Sequence, residues 1–219
     1  NDPSSHGSAL GDEAVAALKK VLGFDPAKTF EIDEEALAHA REVAQRGAQA
    51  HAEWDEALAQ WRSANPDKAA LYDRIKAGEL PEDFDKAIDD LEATFEVGSK
   101  VATRKASGAA LNAVAAVMPE LWGGSADLGG SNNTNIKGAQ SFAPAKYATT
   151  QWPNCSIYGR QLHFGVREFA SGCITNGILL GSDTRPFSGT FFQFADYERA
   201  AVRLAALMEI PNLFIWTHD

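Results

Sequence analysis

Cysteine is scarce in this sequence, since Cys155 and Cys173 are the only two among 219 residues. They form no CxxC pattern and no HxxxH pair accompanies them, so the sequence predicts neither a disulfide framework nor a metal site of its own. The first seven residues lack the charged and apolar regions of a signal peptide. We therefore expect a protein of the reducing cytoplasm.

Long apolar runs and excess positive charge are also absent. No stretch approaches the ~20 apolar residues that a membrane-spanning helix needs, although 45% of the residues are hydrophobic. Acidic residues outnumber basic ones by 30 to 20, which gives a net charge of -10. A general nucleic-acid binder would usually carry a basic face. The sequence thus predicts a soluble globular protein whose partners include neither a nucleic acid nor a membrane.

The first 98 residues carry mainly helical patterns. Asp12 and Asp33 are expected to cap two helices, the first ending at Gly23 and the second running toward Pro66. At 1.5 Å per residue the second helix would be on the order of 45 Å long, which suits a brace better than a core element. Two shorter helices, one with an acidic exposed side, are expected within 67–98, which we interpret as a helical connector.

From residue 99 onward, strand patterns alternate with helical patterns. An Ala-rich helix over 103–119 precedes an apolar pair, a Gly-rich turn and a long polar loop. The strands and helices expected after that loop cover 156–158, 167–180, 184–191, 193–208 and 212–216. Such alternation indicates parallel βαβ units, hence an α/β fold with a mostly parallel sheet flanked by helices.

Glu168 stands between apolar residues at the point where a helical pattern begins. A buried carboxylate there costs free energy unless a partner meets it. One explanation is a first-turn glutamate that the helix N-terminus stabilises by about 0.3–1 kcal/mol. The other is a functional carboxylate, because ligands in such folds bind at the carboxyl ends of strands. Three further residues are expected to converge there with Glu168: Asp127, Phe191 and His218.

Other candidates each have an ordinary structural explanation beside the functional one. The Gly-rich stretch 123–132 suits backbone approach to an anion, but it matches neither a dinucleotide fingerprint nor a Walker A loop and can equally be a surface loop. Arg104 with Lys105 at a helix start could bind a phosphate or simply be a solvated basic pair. The aromatic residues at 191, 194 and 197 share one face, an arrangement that is more often core than pocket.

Five ordered motifs carry a resemblance to a known family. They are Gly-Gly-Ser-Ala-Asp-Leu at 123–128, Ser-Asn at 131–132, Gly-Val-Arg-Glu-Phe at 165–169, Gly-Thr-Phe at 189–191 with Tyr197, and Thr-His-Asp at 217–219. Their order and spacing resemble the pyrimidine-binding domain of the transketolases over about 99–219. The preceding part, with Ser-His-Gly at 5–7 and the long helix, resembles the end of the family's diphosphate-binding domain (1–66) and its connector (67–98). The resemblance implies the thiamine diphosphate-binding fold.

The resemblance also implies a role for each matching residue. Glu168 would be the catalytic carboxylate, placed against a nitrogen of the cofactor's pyrimidine ring, where a carboxylate can share a proton. The residues expected to contact the cofactor are Asp127, Leu128, Glu168, Phe191, Phe194 and Tyr197. The residues expected to meet the sugar phosphate are Arg104, Ser131, His6 and His218, the two histidines also serving in catalysis.

The implied activity is the reversible transfer of a two-carbon ketol unit from a ketose phosphate of the xylulose 5-phosphate type to an aldose phosphate, in the pentose phosphate pathway. A homodimer would hold thiamine diphosphate at its subunit interface, with Mg or Ca. The family's GDG…N motif for diphosphate and metal is absent. We therefore expect an internal portion of such an enzyme with an incomplete site. The alternatives are a non-catalytic chain kept for dimerisation or regulation, and a related enzyme such as dihydroxyacetone synthase.

Overall fold

A computed structural model describes residues 3–218. The chain folds as two compact units, with the boundary after Pro66. The first unit contains a short 3-10 turn at Pro3–Ser5 and two helices, α1 (Asp12–Leu22) and α2 (Glu34–Ala64). The backbone N–H of Ala36 donates to the Asp33 carboxylate at 2.8 Å, so the predicted cap of the long helix is confirmed.

The predicted boundaries of α1 are right at one end only. Gly23 ends the helix with a left-handed backbone, φ 81°, as predicted. Asp12, however, is the first helical residue; Gly11 precedes it and no side chain caps this terminus. Asp12 is thus placed in the first turn, where a carboxylate interacts favourably with the helix dipole without accepting a cap bond.

The second unit begins with helices of the predicted connector and continues into the sheet. Its helices are α3 (Pro66–Ala77), α4 (Phe84–Glu92), α5 (Thr103–Val117), the single turn α6 (Gly129–Asn132), α7 (Glu168–Gly181) and α8 (Ala195–Leu207). Its strands are β1 (Leu121–Ser125), β2 (Ser141–Phe142), β3 (Cys155–Ser156), β4 (Gln161–His163), β5 (Arg185–Phe191) and β6 (Leu213–Thr217). Two further 3-10 turns occupy Ala145–Tyr147 and Phe192–Phe194.

The six strands form one sheet in the order β3-β2-β4-β1-β5-β6, and every neighbouring pair runs parallel. The predicted α/β class is therefore confirmed. Phe187 on β5 is fully buried in a cluster with residues of α5, whereas the next residue, Ser188, bonds to Glu198 on α8. Because successive strand residues point to opposite faces, α5 covers one face of β5 and α8 covers the other.

The predicted Gly-rich turn begins later in the chain than expected. Gly123 and Gly124 are expected in a turn but lie within β1. A Cβ at Gly124 would lie 1.8 Å from the carbonyl oxygen of Leu162, and one at Gly123 would lie 2.2 Å from that of Phe187. The neighbouring strands therefore approach β1 too closely for any side chain there, and this overrides the low strand propensity of glycine.

The segment predicted to be a long polar loop contains strand structure, which is a second difference from the prediction. The loop contains β2, and β3 ends earlier than the strand predicted at 156–158. The three-residue β4 was not predicted at all, yet it lies next to β1 in the centre of the sheet. These strands are too short to show a two-residue hydrophobic period.

Candidate active site

Glu168 is the first residue of α7 and is only 8% exposed. The Thr190 hydroxyl donates to its Oε1 atom at 3.4 Å, and the Ser171 hydroxyl donates to its carbonyl oxygen at 2.8 Å. Both explanations offered for this residue thus describe its position: it lies in a first helical turn, and it is buried at the carboxyl end of the sheet.

A tight turn between β4 and α7 positions the Glu168 carboxylate. Gly165 has φ 69°, a left-handed conformation that favours glycine. The Arg167 guanidinium donates to the carbonyl oxygen of Phe164 at 2.9 Å, and a Cβ at Gly165 would lie 2.7 Å from the same Nη1 atom. The glycine therefore serves both the backbone conformation and the close approach of Arg167.

A pocket of about 840 Å³ opens beside Glu168. Six residues that the sequence assigned to the cofactor line it together: Asp127, Leu128, Glu168, Phe191, Phe194 and Tyr197. Four further lining residues received no role from the sequence: Val166, Arg167, Phe169 and Ala170. Their position next to Glu168 in the chain is the signal by which they could have been found.

Aromatic rings form one wall of this pocket. The ring centroids of Phe191 and Phe194 are 6.0 Å apart with planes at 16°, and those of Phe194 and Tyr197 are 6.2 Å apart at 37°. Tyr197 is 68% exposed, so this series of rings faces the pocket and not the core. Such a wall suits the face of a planar, apolar ring.

The loop that carries Asp127 and Leu128 is fixed by a buried polar network. The Ser125 hydroxyl donates to the carbonyl of Gly189 at 2.9 Å and accepts bonds from the amide of Leu128 and the side-chain amide of Asn132. Asn132 is fully buried, and its Oδ1 atom accepts from the Thr217 hydroxyl at 2.6 Å. The ends of β1, β5 and β6 are thereby joined through side chains that the sequence did not assign to the site.

The same network fixes the tautomer of His218. Its Nδ1 atom lies 3.0 Å from the Thr217 oxygen, whose own hydrogen is donated to Asn132. Nδ1 is therefore the donor of this pair, and Nε2 is the ring nitrogen left to meet a ligand. His218 is exposed and lies outside the pocket lining, but its ring centroid is 4.3 Å from that of Phe191.

The remaining predicted residues lie outside the pocket lining. Arg104 is half-buried on α5, one turn before Gly108, and Gly108 is in close contact with Asn133. Ser131 is exposed on α6, two residues before Asn133. These contacts bring the start of α5 and the α6 turn into one region. His6 is exposed and belongs to the first unit.

A smaller polar pocket of about 350 Å³ shares Asp127 with the larger one and includes His163. The Nε2 atom of His163 lies 2.9 Å from the Ser141 hydroxyl, and its ring centroid is 4.2 Å from that of Trp152. Burial lowers the pKa of this histidine below its ordinary value, so the neutral ring is favoured.

Metal-ligating side chains do not cluster within residues 3–218. That range contains no group of three or more histidine, cysteine or acidic side chains arranged to hold a metal ion. Over the same range, no helix has both the length and the apolar character needed to cross a membrane.

A parallel sheet that carries a buried carboxylate and an aromatic wall at the carboxyl ends of its strands defines a ligand-binding α/β domain. Family comparisons specify it further. Residues 99–219 match the family described as transketolase, pyrimidine binding domain, and residues 1–81 match transketolase, thiamine diphosphate binding domain. The chain belongs to the transketolase family, and the predicted thiamine diphosphate-binding fold is confirmed by structural relatives.

Individual relatives agree with that assignment. A transketolase of Mycobacterium tuberculosis is 52% identical over 216 residues, which is 98% of this chain and 30% of the relative. One of Halalkalibacterium halodurans is 42% identical over 215 residues, with 98% and 30% coverage. A crystal structure of the Pichia stipitis transketolase in complex with sedoheptulose 7-phosphate superposes with a TM-score of 0.81 at 35% identity, over 96% of this chain and 30% of that one. The chain thus spans about 30% of the length of these relatives.

Proposed function

We propose that this chain forms part of a thiamine diphosphate-dependent transketolase, which transfers a two-carbon ketol unit reversibly between sugar phosphates. The observation that carries the proposal is the burial of Glu168 on the wall of a pocket whose other side is aromatic. Membership in the transketolase family supports it. The pentose phosphate pathway is the setting that this reaction implies.

The residues of the pocket suit the pyrimidine part of thiamine diphosphate. Phe191, Phe194 and Tyr197 offer flat apolar surfaces, and Glu168 offers the one buried carboxylate of the lining. A carboxylate in such surroundings can hold a proton against a ring nitrogen, and Thr190 restricts its orientation from behind. When bound, thiamine diphosphate supplies the carbon nucleophile for ketol transfer.

Asp127 and Leu128 flank the same pocket from the loop after β1. We assign Leu128 to support of the bent cofactor and Asp127 to its thiazolium side. His218 is assigned to exchange of a proton with a substrate hydroxyl, because its ring is exposed and its Nε2 atom takes no part in the bond to Thr217.

Substrate phosphate is assigned to Arg104 and Ser131, with His6 as a further active-site histidine. Support comes from the contact of Gly108 with Asn133, which brings the start of α5 near the α6 turn. A guanidinium and a hydroxyl together bind a phosphate by charge-assisted hydrogen bonds. The Pichia stipitis relative was solved with sugar phosphates, which fits this substrate class.

The wider arrangement of the enzyme is also part of the proposal. Residues 1–66 are the C-terminal end of the diphosphate-binding domain, and residues 99–219 are the N-terminal part of the pyrimidine-binding domain. Residues 67–98 form the helical connector between them. The active form is a cytoplasmic homodimer with the cofactor at the subunit interface, and Mg or Ca bound through residues of the family's diphosphate motif. Support for the dimer is the pocket itself, because Tyr197 and Phe169 remain 68% and 50% exposed on its wall.

The experiment is a coupled assay of the holoenzyme with xylulose 5-phosphate as donor and ribose 5-phosphate as acceptor. We expect turnover that requires added thiamine diphosphate and a divalent metal. A second arm replaces ribose 5-phosphate by formaldehyde, and faster turnover in that arm would identify a dihydroxyacetone synthase. Absence of turnover in both arms from a folded, cofactor-loaded protein would favour the non-catalytic alternative.

The phosphate assignment has its own variant. Arg104→Ala should raise the KM for the phosphosugar by about tenfold or more, because a hydrogen bond to a charged group is lost. Lys100→Ala is the control, since Lys100 is an exposed lysine three residues before α5 begins. Equal KM values in both variants and the parent would make Arg104 a structural residue.

A further inference from the structure

A second carboxylate lies beneath the site without reaching the pocket. Glu198, in the first turn of α8, is only 1% exposed. Three neutral groups donate to it: the hydroxyls of Ser171 and Ser188 to Oε1 at 3.2 and 3.0 Å, and the Trp216 indole to Oε2 at 3.0 Å. A buried carboxylate needs such partners, so its side chain is held in one orientation.

Helix packing brings Glu198 to the first turn of α7. A Cβ at Gly172 would lie 2.7 Å from the Cβ of Ala201 and 3.0 Å from the Cγ of Glu198. The two helices therefore cross at a position where one of them has no side chain. This close crossing lets the Glu198 carboxylate reach Ser171, next to Gly172 in α7.

Ser171 connects the two carboxylate residues. Its hydroxyl oxygen lies 2.8 Å from the backbone oxygen of Glu168 and 3.2 Å from Oε1 of Glu198, so one hydrogen is shared between two acceptors. The orientation of the first turn of α7, and hence of Glu168, is tied to the side chain of Glu198.

Strand β5 makes a parallel connection. Ser188 donates to Glu198, and Thr190, two residues further along the same strand, donates to Glu168. Residues two apart in a strand share a face, so one face of β5 holds both carboxylates. Glu198 is thus connected to Glu168 through both the strand and the helix.

We propose that Glu198 is a positioning residue for Glu168, which it orients through Ser171 and through the shared face of β5. The proposal rests on the proposed function, since it concerns how well Glu168 activates the cofactor. A residue that served only the packing of α7 on α8 would affect stability alone. A positioning residue affects cofactor activation in a protein that remains folded.

The test compares Glu198→Met, Glu198→Gln and the parent holoenzyme. Methionine keeps the length but removes both acceptor oxygens. Glutamine keeps one oxygen that both serine hydroxyls can donate to, and it loses only the bond from Trp216. The readouts are the hydrogen–deuterium exchange rate at C2 of bound thiamine diphosphate, kcat, the KM for xylulose 5-phosphate and the Tm. Arg203→Met, an exposed position of the same helix, is the matched control.

We expect Glu198→Met to slow C2 exchange and kcat on the order of 10-fold or more, because small displacements of a reacting group are costly. The KM for the sugar phosphate should stay at the parent value, and Glu198→Gln should restore most of the exchange rate. Parent-like exchange in Glu198→Met, or equally slow exchange in Glu198→Gln and Glu198→Met, would overturn the proposal.

Two additional variants keep the test decisive. If Glu198→Met does not fold, Ser171→Ala replaces it in the test. This variant removes the hydroxyl that connects Glu198 to Glu168 and leaves Glu198 with its bonds from Ser188 and Trp216. It should also slow exchange at C2 of the cofactor, and parent-like C2 exchange in Ser171→Ala overturns the proposal. Glu168→Gln in the same assay separates the two levels of inference. Unchanged exchange in Glu168→Gln contradicts the proposed function, whereas slow exchange there with parent-like Glu198→Met contradicts only the positioning role.

Discussion

Asn132 and Thr217 lie 85 positions apart in the chain, yet a hydrogen bond of 2.6 Å joins their side chains. The bond connects the loop after β1 to the end of β6, and Thr217 in turn accepts from His218. Two predicted site regions, one with Leu128 and Ser131 and one with His218, are therefore held together by residues that are themselves buried.

Thr217→Val should lower the free energy of unfolding by about 1–3 kcal/mol, because Asn132 is left buried with an unsatisfied oxygen. His218 also loses its acceptor, so the KM for the sugar phosphate should rise. Urea unfolding and steady-state kinetics measure the two effects. Thr150→Val, at an exposed position, is the control and should match the parent. Equal stability of both variants would show that the bond contributes nothing.

The aromatic wall predicts an effect on cofactor affinity. Phe194→Leu removes the middle ring of the series and should weaken binding of thiamine diphosphate by roughly 3- to 10-fold, since aromatic pairs contribute ~0.5–1.5 kcal/mol beyond area burial. Phe192→Leu is the control, because Phe192 is 57% exposed and lines a different pocket. Calorimetric titration of the apoenzyme measures both. Equal affinities would assign the ring of Phe194 to packing alone.

Gly124 predicts a steric limit at the centre of the sheet. In Gly124→Ala the new methyl group would meet the Leu162 carbonyl at 1.8 Å, a backbone contact that β1 and β4 can relieve only by separating. We expect that Gly124→Ala either does not fold or has a free energy of unfolding at least about 3 kcal/mol below that of the parent. Gly130→Ala has open space around the added Cβ and should fold normally. Thermal unfolding of both variants by circular dichroism provides the comparison.

The ion pair of Arg74 and Glu120 predicts a pH dependence. Burial raises the pKa of the Glu120 carboxyl, but the hydrogen bonds and charge of Arg74 outweigh this, so its pKa lies below the ordinary value. Both guanidinium–carboxylate bonds measure 2.9 Å. The stabilisation is fully present above the ordinary glutamate pKa of about 4.3 and is lost as the pH falls through the lower folded-state pKa.

Glu120→Gln should therefore be less stable than the parent by about 2–4 kcal/mol at neutral pH, because a buried ion pair loses one charge. The difference should shrink as the pH is lowered below about 4. Urea unfolding at a series of pH values measures it, with Glu82→Gln as the exposed control. A difference that stays constant down to low pH would contradict a charged Glu120 in the folded state.

Several residues of the site can be grouped from the sequence because parallel strands bring their carboxyl ends together. That rule, with the family resemblance, was enough to group Asp127, Glu168 and Phe191 from the sequence alone. The same rule does not predict Asn132 or Glu198 as supporting residues, because their hydrogen-bond partners lie far along the chain. Short strands such as β4 carry no period, and Gly124 shows that close backbone approach can place glycine inside a strand.

The proposed role of Glu168 is activation of thiamine diphosphate, and the variant Glu168→Gln removes the charge that this role needs. Glutamine keeps the size of the side chain and can still accept from Thr190, so the fold should be retained. We predict that kcat for ketol transfer falls by roughly 100-fold or more, which is the contribution of a positioned acid–base group. The Tm should be unchanged. Glu209→Gln, on an exposed turn, is the control and should keep the parent rate. A kcat within twofold of the parent in cofactor-saturated Glu168→Gln would contradict the account.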